Sequence, residues 1–416
     1  MFMKRSPLVV IFVTVFIDLV GFGIVIPLLP FYASRLGASP LWIGILFASY
    51  SVMQLIFSPV LGRLSDRHGR RPVLLFSLLG TCLGFLILGF ANSLALLFVG
   101  RIIDGISGGN ISTAQAYVAD VTTPENRAKG MGLVGAAFGL GFIFGPAIGG
   151  TLSLWGKSVP FFFAAGLALA NTVLLYFALP ETVTPDHPAR TVDRSFSGML
   201  RPLARPRLAL VLSIYFLFIV AFSIMTTTFA LYTMWRYGYE EHHNGYLFAF
   251  IGVIAVIVQG GLIGRLVKRY GEPPFVIAGA ALFIAGLLAL PLIGPEAGGL
   301  AALLLALAVL ANGNAMATPS LQSLASKTAG EREQGTVLGL SQSAASLARV
   351  VGPLVGGWLV YSATAPRPPG VDAGSVRVTF WTAGAVTLAA LALAVRLARA
   401  DARTPEVAGR EREVSL

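Results

Sequence analysis

The sequence is short of the residues on which soluble enzymes and metalloproteins depend. Only 12% of its 416 residues are charged and 56% are hydrophobic, whereas soluble domains carry about 25% charged residues. Cys82 is the only cysteine, which excludes an intramolecular disulfide and gives no sign of a cysteine metal cluster or nucleophile. A Gly-Lys-Ser/Thr phosphate loop is also missing, so ATP hydrolysis is not the energy source. With no nucleophile–base arrangement either, the sequence predicts a membrane protein that is not an enzyme.

The hydrophobic residues of the sequence are arranged in long apolar runs. Each is about as long as a helix that crosses a bilayer, which needs roughly 20 residues. Twelve lie near residues 8–30, 43–64, 73–91, 94–118, 130–152, 160–179, 208–235, 245–267, 275–293, 300–322, 335–360 and 378–397. The first has no convincing cleavage site and is interpreted as a retained span. The pattern predicts an all-α integral membrane protein with twelve transmembrane helices.

The net charge of +11 follows from how the basic residues are distributed. If the spans alternate sides from a cytoplasmic N-terminus, the cytoplasmic segments hold 23 Lys and Arg and the outer loops hold five. Cytoplasmic loops of membrane proteins collect basic residues. We therefore expect both termini to be cytoplasmic in a cell (inner) membrane, and the basicity calls for no nucleic-acid partner.

The two halves of the chain carry the same motifs in the same order. Residues 62–72 read Gly-Arg-Leu-Ser-Asp-Arg-His-Gly-Arg-Arg-Pro, and residues 264–274 read Gly-Arg-Leu-Val-Lys-Arg-Tyr-Gly-Glu-Pro-Pro. Motifs at 108–110, 126–130 and 145–150 recur at 312–314, 331–335 and 352–357, so the offsets run from 202 to 207 residues. Repeats in one orientation are typical of secondary transporters. We predict bundles at 1–180 and 208–400, a cytoplasmic linker at 181–207, for which a solvated tether is the simplest interpretation, and a cytoplasmic tail at 401–416.

These motifs resemble those of the major facilitator superfamily, and specifically its twelve-span drug:proton antiporter branch, with tetracycline pumps as the nearest group. Residues 62–71 resemble the signature loop between spans 2 and 3. Arg101 with Asp104, and the antiporter-like glycine–proline pattern of span 5, resemble the motifs of proton-driven exporters. The resemblance implies two six-helix bundles related by a pseudo-twofold axis. It also implies alternating access and proton-coupled export of small amphipathic solutes or drugs, without a cofactor.

The loop between spans 2 and 3 is predicted to act as a latch. The resemblance implies that Asp66 faces the N-terminal end of span 11 and that Arg70 pairs with Asp120. The other predicted members are Gly62, Arg67, Gly69, Arg71 and Arg127. The second copy of the loop has Val267 where the first has Asp66, so we expect an asymmetric latch. The alternative is an ordinary solvated basic loop.

Small residues of span 5 are predicted to let a second helix approach closely. They are Gly135, Gly139, Gly145, Gly149 and Gly150, and Pro146 should bend the helix. The resemblance implies that this packing seals the protein against leak, and ordinary small-residue packing is the alternative.

Charged residues inside spans are the strongest functional signal, since each costs on the order of 2.5–3.5 kcal/mol near the membrane centre. Asp18 has no oppositely charged neighbour in its own span, and our hypothesis is that it carries the proton, with Arg101 and Asp104 completing the proton-coupling set. A structural acid at Asp18 and a self-neutralising i,i+3 pair of Arg101 with Asp104 are the alternatives. Arg349 is a polar fastener between helices or a cavity residue.

Aromatic and amide side chains suit a weakly polar, amphipathic substrate. The candidate cavity residues are Tyr50, Gln54, Asn110, Gln115, Tyr215, Phe222, Phe229, Gln259, Asn314, Gln342 and Arg349. Tetracycline pumps carry an acid, a His and an acid where this chain has Gly84, Ala255 and Phe283, which argues against tetracycline as the substrate. His242 and His243 form an outer-loop pair without a third ligand, so no metal is expected.

We expect a monomer in the lipid bilayer whose partners are protons and a small-molecule substrate. A proton-coupled importer of a sugar, organic acid or other metabolite is one alternative, and a transport-inactive membrane sensor or scaffold is another.

Overall fold

The structure is a computed structural model, and it describes residues 7–183, 201–328, 334–364 and 373–414. The side chains of residues 124–129, 138, 201, 262, 334–335, 362–364, 373–374 and 401–414 lie outside this description. Within the described ranges, 12 helices are long and apolar enough to cross a membrane. This confirms the predicted all-α membrane fold.

The helices follow the predicted runs closely. They are α1 Pro7–Arg35, α2 Pro40–His68, α3 Arg70–Phe90, α4 Leu94–Val121, α5 Pro124–Ser153, α6 Val159–Ala178, α7 Pro206–Tyr237, α8 (Glu241–Ile257 continued by Ile263–Tyr270), α9 Pro273–Leu292, α10 Gly299–Lys327, α11 Gln334–Thr364 and α12 Ala373–Val414. Residues 401–414, predicted to be a tail, continue the last helix, and α7 begins inside the predicted linker.

Local sequence explains where several helices begin and end. The hydroxyls of Ser39 and Ser93 accept hydrogen bonds from the backbone at the starts of α2 and α4, as helix N-caps do. Gly69 separates α2 from α3 at φ 99°, and Gly271 separates α8 from α9 at φ 77°. Positive φ values favour glycine, which explains why both basic loops carry a glycine at this position.

Two helices are interrupted at positions that the motifs mark. In α4 a 3₁₀ turn at Gly108–Asn110 breaks the α-helical pattern. In α8 a π turn at Val258–Leu262 carries Gln259. Such interruptions are frequent at functional sites, and both lie on residues predicted to line the cavity.

The chain divides into two compact units that cut across the sequence repeat. The first contains residues 1–192, 226–253 and 349–376, and the second contains residues 193–225, 254–348 and 377–416. Parts of α7, α8 and α11 therefore pack with α1–α6 in the first unit. The division of the sequence into bundles at 1–180 and 208–400 stays a prediction.

In the first unit, α1 lies along α5 with their backbones almost touching. A Cβ added to Gly145 would come within 2.7 Å of the Gly23 Cα atom. The large apolar side chains of the core, such as Ile24, Phe85 and Phe161, are fully buried. In the second unit, α9 meets α10 in the same way, since a Cβ at Gly279 would come within 2.7 Å of the Gly313 carbonyl oxygen.

Candidate functional site

The Arg70 side chain is the centre of the loop between α2 and α3. It is 3% exposed, and its Nε atom donates to Asp120 Oδ2 at 2.9 Å. Its Nη1 atom donates to Asp66 Oδ1 at 2.6 Å and to Ser65 Oγ at 2.7 Å. One guanidinium thus joins the end of α2, the start of α3 and the end of α4. The geometry agrees with the expected pairing of Arg70 with Asp120, while the expected facing of Asp66 toward α11 stays a prediction.

The remaining predicted latch residues differ in how many contacts they make. Arg71 contacts Tyr176 of α6, donating to its carbonyl oxygen and lying 5.1 Å from its ring centroid. Arg67 is exposed and forms no ion pair with a described residue. A Cβ at Gly62 would approach Ser112 Oγ at 3.8 Å. The side chain of Arg127 lies outside the described residues.

Glu181, the first residue of the predicted linker, also contacts this loop. The Glu181 carboxylate accepts hydrogen bonds from the backbone N–H groups of Arg70 at 2.8 Å and Arg71 at 3.0 Å. It therefore caps the N-terminus of α3, where the helix dipole favours a negative charge. Glu181 directly follows span 6, and its separation of 111 residues from Arg70 hides the contact from any local sequence pattern.

The equivalent loop of the second half carries the same contact with its charges reversed. Glu272 follows Gly271 as Arg70 follows Gly69, and it is 4% exposed. Its Oε1 atom accepts hydrogen bonds from Lys327, at the end of α10, and from Ser323 at 2.8 Å. Burial raises the pKa of Glu272, but the hydrogen bonds from Lys327 and Ser323 outweigh it and leave the pKa below its ordinary value. The missing acid at Val267 is visible in the sequence, whereas the reversed pair is visible only in the fold.

The charged residues of α1 and α4 come together in the first unit. Arg101 is 1% exposed and Asp104 is 4% exposed, and Arg101 Nη1 donates to Asp104 Oδ2 at 3.1 Å. Asp18 is partly exposed, faces the Asn110 side chain and lies in electrostatic range of Asp104. Arg101 interacts with Asp104 and Tyr50, so Asp104 is the acid that interacts with both Arg101 and Asp18.

Tyr50 is held against α4 by contacts on several sides. The Arg101 guanidinium carbon lies 4.3 Å from the Tyr50 ring centroid. Gln54 Nε2 donates to the Tyr50 hydroxyl at 3.3 Å and to the Gly108 carbonyl oxygen at 2.9 Å. A Cβ at Gly105 would come within 2.5 Å of the Tyr50 carbonyl oxygen. Glycine in the α4 motif therefore serves to admit Tyr50.

The other predicted cavity residues are distributed over both units. Gln115 and Arg349 are partly exposed in the first unit, and Arg349 lies in electrostatic range of Tyr50. In the second unit, Asn314 accepts a hydrogen bond from Thr318 at 2.9 Å, and Tyr215 accepts one from Gln322 at 3.0 Å. Of the others, Phe229 is fully buried, Phe222 and Gln342 are partly exposed, and Gln259 is exposed.

Gly84 and Phe283, two of the residues that argue against tetracycline as the substrate, lie in closely packed surroundings. A Cβ at Gly84 would meet the Asp104 Cβ atom at 3.0 Å and the Gly100 carbonyl oxygen at 3.1 Å. Phe283 is 0% exposed, with its ring centroid 4.9 Å from that of Phe218 and 6.3 Å from that of Phe222. Among the described residues, no group of three or more His, Cys, Asp or Glu side chains could hold a metal ion.

The glycines of α5 differ in what they contact. A Cβ at Gly135 or Gly139 would meet no described atom of the first unit within 4 Å, so that unit shows no close approach at these two. At Gly149 an added Cβ would lie 3.1 Å from the Ile24 Cα atom, and at Gly150 it would lie 2.8 Å from the Gly245 Cα atom of α8. Pro146 lies on this contacting stretch of α5.

The second copy of the span 5 motif makes the corresponding contact in α11. A Cβ at Gly357 would lie 2.6 Å from the Pro40 carbonyl oxygen and 3.2 Å from the Gly44 Cα atom of α2. Nearby, Arg35 at the end of α1 pairs with Glu241 at the start of α8, with Nη1 and Oε1 2.8 Å apart. The repeated motifs thus join α5 to α8 and α2 to α11 within the first unit, on the side that we expect to be outer.

Known proteins resemble the chain over most of its length. The family model described as Major Facilitator Superfamily matches residues 11–353 and 260–415. The class H tetracycline resistance protein of Pasteurella multocida is 33% identical over 85% of this chain and 88% of its own length. Multidrug resistance protein 2 of Bacillus subtilis is 30% identical over 86% of this chain and 89% of its own.

Solved structures share the fold. The crystal structure of the human organic anion transporter MFSD10 (TETRAN) covers 95% of this chain and all of its own, with 26% sequence identity and a TM-score of 0.70. The nucleoside transporter NupG covers 94% of this chain and 99% of its own, with a TM-score of 0.72. NupG is only 12% identical, so this likeness concerns the fold alone.

Proposed function

The chain belongs to the major facilitator superfamily, and we propose that it couples the inward flow of protons to the export of small amphipathic solutes. Members of this family are transporters and not enzymes, and the relatives that the chain matches include tetracycline and multidrug resistance proteins. The observation that carries the proposal is the cluster of Asp18, Asp104 and Arg101 in α1 and α4. Ionisable groups are expensive within a membrane and mark proton relays.

Asp18 is the proton carrier in this proposal. It is the partly exposed acid of the cluster, whereas Asp104 is buried and bonded to Arg101. Asp104 is a second acid within electrostatic range of Asp18. Proton uptake from the outer side would release the solute there, and proton loss to the cytoplasm would restore the starting state.

The contacts at the two ends of the helices support a gating role for both motifs. The Arg70 cluster ties α2, α3 and α4 together in the loop that we place on the cytoplasmic side. The glycine contacts of α5 with α8 and of α11 with α2 require backbones to meet without side chains between them. Helix contacts of this kind separate and re-form without repacking large side chains, which suits alternating access.

The substrate in this proposal is not tetracycline. A side chain at Gly84 would crowd α4, and Phe283 lies in an aromatic cluster with Phe218 and Phe222. Aromatic and amide groups remain at the predicted cavity positions, and they suit an apolar body with few polar groups. We place the chain in the cell membrane as a monomer with cytoplasmic termini.

Replacement of Asp18 by Asn tests the proposal. In everted vesicles with a proton gradient, ethidium, fluorescein and tetracycline serve as cationic, anionic and chelating probes. Wild-type protein is expected to accumulate ethidium while the gradient lasts, and Asp18→Asn to lose at least 90% of that accumulation. Glu296→Gln, which removes an exposed acid outside the cluster, is the matched control. Unchanged proton-coupled accumulation in Asp18→Asn refutes the role of Asp18.

Organic anion transport is a second candidate function. The structurally similar MFSD10 is described as an organic anion transporter, and two guanidinium groups, Arg101 and Arg349, lie near Tyr50. Accumulation of fluorescein in place of ethidium would favour this candidate. Uptake into right-side-out vesicles would favour an importer, and no gradient-dependent flux of a broad solute panel would favour a sensor or scaffold.

A further inference from the structure

An ion pair joins α1 to α8 on the side of the first unit that we expect to be outer. Arg35 Nη1 lies 2.8 Å from Glu241 Oε1, and Arg35 Nη2 donates to Glu241 Oε2 at 3.1 Å. Two hydrogen bonds between one guanidinium and one carboxylate fix the direction of the contact as well as its distance. Arg35 ends α1 and Glu241 begins α8, so the pair connects the two predicted repeats.

The two partners differ in how much they depend on the pair. The Glu241 side chain is 11% exposed, whereas the Arg35 side chain is 51% exposed. A buried carboxylate that loses its partner is costly, while a half-exposed guanidinium is still hydrated without one. Glu241 therefore requires Arg35 as long as α1 and α8 stay together, and it requires water when they separate.

The first turn of α8 also holds the glycine contact with α5. A Cβ at Gly150 would lie 2.8 Å from the Gly245 Cα atom and 3.1 Å from the carbonyl oxygen of His242, the residue that follows Glu241. All of these atoms belong to the backbone, so the contact brings no large side chains together. The ion pair beside it supplies a directional attraction that the glycine contact lacks.

Leu231 of α7 reports whether this side is closed. It is 1% exposed and belongs to an apolar cluster whose other buried members all come from the first predicted repeat. Leu231 lies less than two turns from the end of α7 at Tyr237. Its side chain reaches water only when α7 leaves this cluster.

We propose that Arg35 and Glu241 form an outer gate: their ion pair holds the start of α8 against the end of α1, and it breaks when the protein opens to the outer side. This inference rests on the proposed function in its alternating access, and not on Asp18 as the proton carrier or on the identity of the solute. Because the Glu241 charge is buried only in the closed gate, loss of Arg35 favours opening more than loss of Glu241 does.

Labelling of a buried cysteine measures the opening. In a Cys82→Ser background, Leu231→Cys is treated with a membrane-impermeant maleimide in intact cells. Compared with the native pair, the reaction is expected to be about fivefold faster or more with Arg35→Gln and accelerated less with Glu241→Gln. The exchanged pair, Arg35→Glu with Glu241→Arg, should bring the rate back toward the native value. Arg35→Lys, which keeps the charge but not the two hydrogen bonds, replaces Arg35→Gln if the latter does not reach the membrane, with an intermediate rate expected.

Two controls separate opening of the gate from other effects. Glu240→Gln removes the neighbouring acid, whose side chain is 68% exposed, and should leave the labelling of Leu231→Cys unchanged. Leu175→Cys replaces a residue that is fully buried in a second apolar cluster of the first unit. In permeabilised cells it should stay unreactive when combined with Arg35→Gln, because the gate opens without unfolding the protein.

A native rate of Leu231→Cys labelling in both Arg35→Gln and Glu241→Gln overturns the inference. Equal acceleration in Glu240→Gln overturns it as well, and so does a Leu175→Cys that becomes reactive. The labelling does not depend on transport, so the two claims fail separately. Normal proton-coupled accumulation in Asp18→Asn refutes the proton carrier and leaves the gate standing, whereas native labelling beside a transport-dead Asp18→Asn refutes the gate alone.

Discussion

At the scale of single residues, the loops after α2 and α8 each form an ion pair with the end of another helix, but the acidic and basic partners are exchanged. Arg70 of the first loop pairs with Asp120 at the end of α4, and Glu272 of the second pairs with Lys327 at the end of α10. The α3 N-terminus, which starts with arginine, has a separate carboxylate in Glu181. Glu272 lies at the α9 N-terminus itself, so it meets the helix dipole directly.

Substitutions that remove or reverse the Glu272–Lys327 ion pair test its contribution to stability. Glu272→Gln is expected to lower the free energy of unfolding by about 1–2 kcal/mol, because its acid is buried while Lys327 is exposed and screened by water. Glu272→Lys should be worse, and adding Lys327→Glu should recover part of the loss. Thermal melting in detergent measures these differences, and additive effects in the double variant would exclude a direct pair.

The sign of the pH effect follows from the lowered pKa of Glu272. A carboxylate with a depressed pKa in the folded state contributes stability that is present above its ordinary value of 4.5 and is lost as the pH falls through the folded value. The melting temperatures of wild type and Glu272→Gln should therefore converge between about pH 5 and pH 3. Parallel melting curves over that interval would contradict the assignment.

At the scale of helices, the two parts of α5 differ in whether their backbone contacts another helix closely. Gly149 and Gly150 meet other helices, whereas Gly135 and Gly139 meet no described atom within 4 Å. A sequence motif of small residues predicts that some helix approaches closely. It cannot say which glycines are used, because that depends on the direction in which each faces its neighbours.

Gly150→Ala is the test of this contact. Its methyl group would lie 2.8 Å from the Gly245 Cα atom, so α5 and α8 must separate, at a cost of about 1–3 kcal/mol. We expect a lower melting temperature and slower transport. Gly132→Ala, on the same helix with nothing within 4 Å, is expected to leave both unchanged. Equal effects of the two substitutions would attribute the loss to helix 5 in general.

At the scale of the whole molecule, hydropathy and charge determine how the chain lies in the bilayer. Twelve helices among the described residues are apolar enough to cross it, and basic residues gather in the segments that we place inside. Each helix satisfies its own backbone hydrogen bonds, as the hydrocarbon core demands. Orientation is set by the loops and not by the packing of the bundle.

Single cysteines report this orientation. In a Cys82→Ser background, Lys157→Cys is expected to react with a membrane-impermeant maleimide added to intact cells. Arg265→Cys, in the last part of α8, should react only after the membrane is permeabilised. The reverse pattern would invert the predicted orientation and with it the assignment of the Arg70 cluster to the cytoplasmic side.

The fold was more predictable from the sequence than the site. Apolar length and the repeated motifs predicted all twelve helices, because in a bilayer the backbone allows little else. The site depends on pairs far apart in the chain: Glu181 lies 111 residues from Arg70, and Glu241 lies 206 residues from Arg35. No local pattern marks such partners. The one available signal was that Glu181, an acid, follows span 6 and is therefore expected on the same side of the membrane as the basic loop that contains Arg70.

The sequence by itself determined the class of this protein, its number of spans and its duplication, since these follow from hydropathy, helix length and motif order. Only the tertiary structure decided which charges meet. It bonded Arg101 to Asp104 and placed the ring of Tyr50 against it, and it reversed the ion pair of the second loop. Electrostatic energy depends on distance and burial, and both are properties of packed helices that composition does not contain.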